Sequence, residues 1–280
     1  MENLIKDKEF VRKTIERISN EPLKKNSHFY GQFKEMKIID AVNNWEENQN
    51  PKDNQPAIIF LRVVLAANRK YNTHVKPNID RIIQDNPSLT TFKSLKNLIK
   101  SKSREEFYEF WGHKNLKKYN TLVNLIEATD QIRLKYNIQD DFKLMHKWAE
   151  NIDIYDYEND IIGRIKNIAI ATLQHLRMDF GINTIKPDQR VIEVLKREFN
   201  FKKVNQIRAI RLVEEMANIS EITVRNLDLV LVNYGSGYYD NRKYNSQLKV
   251  KKEIANKLLN LGVNKNVIFE ATGIELKANN

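Results

Sequence analysis

"IKNIAIATLQHLRMDFGINTIKPDQRVIEVL", residues 165–195, sets an apolar helical run, a Phe-Gly stop and a Pro-Asp start within one short span. Ile162, Ile165 and Ile168 have one-turn spacing and predict a short helix, and "NIAIATLQHL" predicts a second directly after it. Between them "KNIA" suffices for a tight turn, because Asn167 tolerates left-handed backbone angles better than most residues. Two helices joined this way leave N–H groups exposed at the start of the second, and such groups suit a phosphate. Phe180-Gly181 then closes the second helix. Pro187 biases Lys186 toward an extended backbone, and Asp188 stands at the N-cap of a third helix, "QRVIEVLKREF". Two readings of Asp188 are open: a helix cap, or a carboxylate placed for chemistry. Spacing alone favours the cap, since Asp is among the commonest N-cap residues.

Outward from this segment the chain keeps helical spacing. Only 8 Gly and 6 Pro occur in 280 residues, so the fold class expected is all-α. "PAIIFLRVVLAAN" (56–68) opens on Pro and is apolar on nearly every face, which predicts a central buried helix. "KKYNTLVNLIEATDQI" (117–132) puts Leu122, Leu125, Ile126 and Ile132 on one stripe. "VNQIRAIRLVEEMANI" (204–219) does the same with Val204, Ile207, Ile210, Val213 and Met216. "NWEENQNPKDNQP" (44–56) reads as a polar loop. "LDLVLVNYGSG" (227–237) alternates like a strand, yet also fits a helix stopped by Gly235.

Lys and Arg number 47 against 36 Asp and Glu, a net charge of +11. Such a surplus attracts polyanions, nucleic acid above all. The chain has no cysteine, which removes disulfides, iron–sulfur clusters and thiolate zinc. Five histidines without cysteine give no readable metal site, and no cofactor is expected. No apolar run approaches a membrane span and "MENLIKDKEF" lacks a signal peptide's apolar stretch, so the expected place is the cytoplasm, on the nucleoid.

The order helix, hairpin, helix, Phe-Gly and loop Asp resembles the signature of the helix-hairpin-helix (HhH-GPD) DNA glycosylase superfamily. "FLRVVLAANRKYNTHVKPNIDRII" (60–83) resembles the family's early core helix and the loop carrying a wedge residue, and "EEFYEFWGHKNLKKYNTLVNLIEAT" (105–129) its next shared element. The resemblance spans roughly residues 30–240 and implies a two-lobed helical domain over 1–240 with DNA in the groove between the lobes. It implies double-stranded DNA bearing a damaged or modified base as partner, in repair or in defence against foreign DNA; a monomer is the default expectation.

Carried over residue by residue, the resemblance makes Asp188 the catalytic acid facing the deoxyribose of a flipped-out nucleotide. Asn68 takes the wedge position; Lys166, Asn167, Ile168, Ala169 and Thr172 take the hairpin's phosphate contacts, with Lys186 and Arg190 flanking the acid. Trp111, His113 and Gln174 fall at the base pocket, while His175 reads as structural. Two departures stand out. Asn167 and Ala169 replace the hairpin's two glycines, and Ala171 stands where bifunctional members carry a Schiff-base lysine. The implied enzyme is therefore monofunctional, without lyase chemistry. A non-catalytic DNA-binding protein on the same fold is the alternative. The remaining residues, 241–280, comprise a basic stretch, "NRKYNSQLKVKKEIANK" (241–257), and a helix-turn-helix-like tail with Gly262 at the bend and Gly273 near its end.

Overall fold

The computed structural model describes residues 4–27, 29–48, 54–239, 251 and 253–272, and all its regular elements are helical. The first helices are α1 (Lys8–Ser19), α2 (Ile38–Glu47) and α3 (Pro56–Ala66). A π-turn (Tyr71–Val75) leads into α4 (Lys76–Asp85), then α5 (Phe92–Ser101), α6 (Arg104–Trp111), α7 (Leu116–Tyr136) and α8 (Asp141–Asn151). A 3₁₀ turn (Ile154–Asn159) precedes α9 (Ile170–Asp179), α10 (Gln189–Arg197), α11 (Gln206–Ser220) and α12 (Val224–Tyr239). The tail adds α13 (253–260) and α14 (Lys265–Thr272).

Residues up to Gly235 form one compact unit, and a second runs from Ser236. Within the first, α3 is the hub, packed by α4, α5, α7 and α9, while α8 bridges α7 and α9. Every residue from Ala57 to Ala66 is buried, which is why its apolar character runs all round the helix. Full burial of each such large aliphatic or aromatic side chain contributes about 1.5–3 kcal/mol. A second set of helices comes from the two ends of the unit, with α1 against α2 and α11, and α10 against α11. Contact of α9 with α11 joins the two sets. The loop 180–188 carries the chain from the first set to the second.

Phe180 explains the first half of the Phe-Gly pair. Its ring is fully buried, 6.0 Å from Phe60 and 5.6 Å from Phe142, so it plugs the core beneath α3. Gly181 supplies the left-handed turn (φ +89°) that ends α9.

Four sequence expectations are corrected here. The first arm of the hairpin is a run of turns over 161–167, not an α-helix. There the Asp160 carboxylate accepts from the Ile162 and Gly163 amides at 2.8 and 3.1 Å, and a Cβ on Gly163 would meet the Tyr157 carbonyl at 1.8 Å. Local side-chain capture of these amides competes with helix formation and outweighs the isoleucine spacing. Residues 44–47 belong to α2 rather than to a loop, while 49–53 lie outside the described residues. Third, α12 runs through Gly235 instead of stopping at it. A Cβ there would meet Val194 Cγ2 at 2.8 Å and the Arg190 carbonyl at 3.0 Å, so the glycine lets α12 approach α10. Val204 is buried but precedes α11.

In the second unit, α13 and α14 meet over Ala255 and Ile268, with Leu258, Leu259 and Val263 around them. Gly262 turns the chain between them at φ +80°. The basic stretch at 241–250 and Gly273 lie outside the described residues. No described helix is long and apolar enough to cross a membrane.

Candidate functional site

Asp188 caps α10: its Oδ1 accepts from the Arg190 amide at 2.8 Å and the Val191 amide at 3.3 Å. One oxygen suffices for the cap. Oδ2 lies 3.7 Å from Arg190 Nε, and the side chain keeps 21% of its surface in solvent. The acid is therefore neither walled off nor consumed by its structural duty.

Behind it runs a chain of charged groups that no local pattern announces. Asp179, the last residue of α9, receives Nε and Nη2 of Arg62 from α3 at 3.3 and 2.9 Å. Burial opposes the charge of Asp179, but Arg62 and His175 together outweigh it and hold its pKa below the ordinary carboxylate value. His175 Nε2 lies 3.7 Å from the same Asp179 oxygen, and its Nδ1 lies 3.3 Å from Lys186 Nζ. Burial lowers the pKa of Lys186 from the usual lysine range, against the pull of Asp188. Its side chain thus reaches inward to α9, and its backbone amide donates to Asp228 Oδ1 at 3.1 Å.

Asp228, on α12, is 3% exposed. Burial, and after it the negative charge of Asp188, pushes its pKa up to about 8. The Asp188 carboxyl at the helix N-terminus thus has a second carboxyl, that of Asp228, across the 186–188 loop, whose dry surroundings favour its protonated form. Sequence reading missed Asp228 because it sits inside the apolar alternation "LDLVLV" (227–232). The unfolded chain titrates an aspartate near pH 3.9, the folded chain near 8. The native state holds the extra proton between those values, so this group's contribution is full below the lower pH and is lost as pH rises toward the upper. Asp228→Asn keeps the acceptor for Lys186 and removes the titration. Its melting temperature is expected to lie several degrees above the parent at pH 8 and to converge with it near pH 4, as a pH series of thermal melts will show. A gap independent of pH contradicts the assignment.

The hairpin residues come together around α7. Asn167 adopts the left-handed conformation (φ +74°), and its Nδ2 donates to Thr121 Oγ1 at 3.2 Å. The same hydroxyl lies 3.2 Å from the Lys166 carbonyl, so α7 grips the turn from both sides. Ile168 is buried as the anchor, while Lys166, Asn167 and Ala169 are exposed. Ala169 gives α9 no side-chain cap, and the Thr172 and Leu173 amides both turn back to its carbonyl. The other predicted positions divide. Asn68 is exposed at the end of α3 in the left-handed conformation (φ +58°). Trp111 is fully buried, its indole N–H donated to the His113 carbonyl, and presents no ring face to a base. Gln174 is equally buried, bonded to Thr184 at 2.9 Å and to Arg177 at 2.6 Å. Of the three base-pocket positions only His113 retains exposed surface. No group of three or more His, Asp or Glu among the described residues is arranged to hold a metal ion.

Comparisons with protein families, with curated proteins and with solved structures return no significant match.

Proposed function

We propose that this protein is a monofunctional DNA glycosylase of the helix-hairpin-helix type, removing a damaged or modified base by hydrolysis of its N-glycosidic bond. The observation that carries the reading is Asp188: a carboxylate that caps a helix with one oxygen, has Arg190 Nε 3.7 Å from the other, and keeps 21% of its side chain in solvent. It stands where the chain passes between the two helix sets, and the hairpin turn gripped by Thr121 lies at the other end of α9. On this reading the two sets are the lobes, and the duplex lies across them with the target nucleotide rotated out toward Asp188.

The chemistry needs little more. The C1′–N bond breaks with its electron pair leaving on the base, and positive charge builds on the sugar. The Asp188 carboxylate stabilises that charge. Water then adds to C1′ and gives its proton to the carboxylate. Asp228, its pKa raised by burial, supports this role as a neutral neighbour that adds no second negative charge to the loop. Arg190 offers positive charge for the flanking phosphate, while Lys186, turned inward to His175, does not reach it.

A panel of duplex oligonucleotides carrying alkylated, oxidised, deaminated and hypermodified bases, scored for abasic-site formation, tests the reading; no release from any member overturns it. With Ala171 unable to form an imine and Lys186 directed toward His175, borohydride is expected to trap no covalent adduct on abasic DNA. Efficient trapping on a denaturing gel removes the monofunctional assignment.

A further inference from the structure

The end of α3 holds two cationic side chains and a histidine with no anion beside them among the described residues. Lys118, in the first turn of α7, donates its ammonium to the Leu65 and Ala67 carbonyls at 2.7 and 2.6 Å, capping α3 from outside. Arg69 follows one residue beyond the exposed Asn68, its amide bonded to the Ala66 carbonyl at 3.2 Å. Its guanidinium makes no hydrogen bond and no ion pair among the described residues, and Nη1 is shut off from water without a partner. His113 completes the group, its loop fixed by the Trp111 indole bonded to its carbonyl and by Gly112 in the left-handed conformation (φ +67°).

The electrostatics agree with that geometry. Burial, then Arg69 and Lys118, lowers the pKa of His113 to about 4; burial, then Arg69, lowers that of Lys118 to about 8. Among the described residues no carboxylate contributes to either shift. A protein that crowds cations together and leaves a guanidinium nitrogen dry and unbonded meets a standing penalty unless something negative arrives.

We infer that Arg69, Lys118 and His113 form a seat for a phosphate group. Arg69 Nε and Nη2, unlike the dry Nη1, are not closed off and suit two phosphate oxygens, Lys118 has a third N–H beyond the two given to carbonyls, and neutral His113 offers a ring N–H. Thr121 stands one helical turn beyond Lys118 on α7 and holds the hairpin turn at Asn167. The seat is therefore continuous with the hairpin rather than an isolated patch. That a DNA strand supplies the phosphate rests on the function proposed above; the seat itself does not.

Two measurements on the full chain separate these. In the first, inorganic phosphate is added against sodium chloride of equal ionic strength and the melting temperature is followed. The parent gains stability in phosphate and Arg69→Gln does not. Without phosphate the variant melts at or above the parent, since the guanidinium it removes has no partner. A loss of stability without phosphate would mark Arg69 as structural and overturn the seat. In the second, an undamaged 20-base-pair duplex is titrated at several salt concentrations. Arg69→Gln is expected to weaken binding by about three- to tenfold and to reduce the salt slope by about one, while Arg69→Lys keeps the slope and loses part of the affinity. A phosphate effect with unchanged duplex binding assigns the seat to free phosphate and overturns the DNA source; neither effect overturns the seat altogether. Because neither assay requires base release, an inactive preparation leaves both outcomes readable.

Discussion

Under the proposed glycosylase function, Asp188→Asn is expected to abolish base release while leaving the fold and duplex affinity essentially unchanged. Asparagine caps a helix as well as aspartate, so the hydrogen bonds to the Arg190 and Val191 amides survive. Only the charge is lost. Near a helix N-terminus that charge contributes about 0.3–1 kcal/mol to stability, whereas removing an electrostatic stabiliser of a charged transition state typically costs about a hundredfold or more in rate. The two readings of this residue thus diverge by a wide margin in one variant. Single-turnover release from the substrate identified by the lesion panel, alongside a thermal melt, makes the comparison. Wild-type release by the asparagine variant removes the catalytic role and leaves only the cap. Affinity for DNA holds or tightens, because an anion facing a phosphate backbone is repulsive.

Arg62→Met is expected to destabilise the protein by about 3–5 kcal/mol, the range found when one partner of a buried ion pair is removed. Arg62 and Asp179 keep only 10% and 14% of their side-chain surfaces exposed, and Arg62 bonds the carboxylate through two nitrogens. Methionine fills much of the same volume, so the cost arises from Asp179, left dry with His175 at 3.7 Å. Combining Arg62→Met with Asp179→Leu recovers most of the loss, since the orphaned charge rather than the missing bond is expensive. Urea titrations of the parent, the single and the double variants give the numbers. A single-variant cost below about 1 kcal/mol contradicts the burial assigned to this pair, because that is the range of an exposed one. Loss of the pair also frees the C-terminal end of α9 and with it His175 and Lys186, so base release is expected to fall further than stability alone explains.

Much of the local architecture was legible in the chain. The apolar run at 56–68 became a fully buried α3, Asn167 took the left-handed turn, Gly181 stopped α9 and Asp188 capped α10. Each of these signals acts within a few residues. The isoleucine spacing at 162–168 misled because its rival was also close at hand but less conspicuous: the Asp160 carboxylate took the amides a helix needed free. Trp111 and Gln174 have the chemistry of a base pocket, but side-chain type says nothing of which face the packing closes.

The helical class, the stops and starts of the helices around α9 and the cationic surplus follow from the order of residues alone, because turn preference, capping and charge are properties of short segments. The raised pKa of Asp228 beside the Lys186 amide, and which arginine is left without a partner, were decided only by tertiary structure. Asp228 meets the Lys186 amide from another helix, and Lys118 on α7 meets the end of α3. Burial and the sign of the nearest charge set those states, and both depend on neighbours that chain order does not reveal.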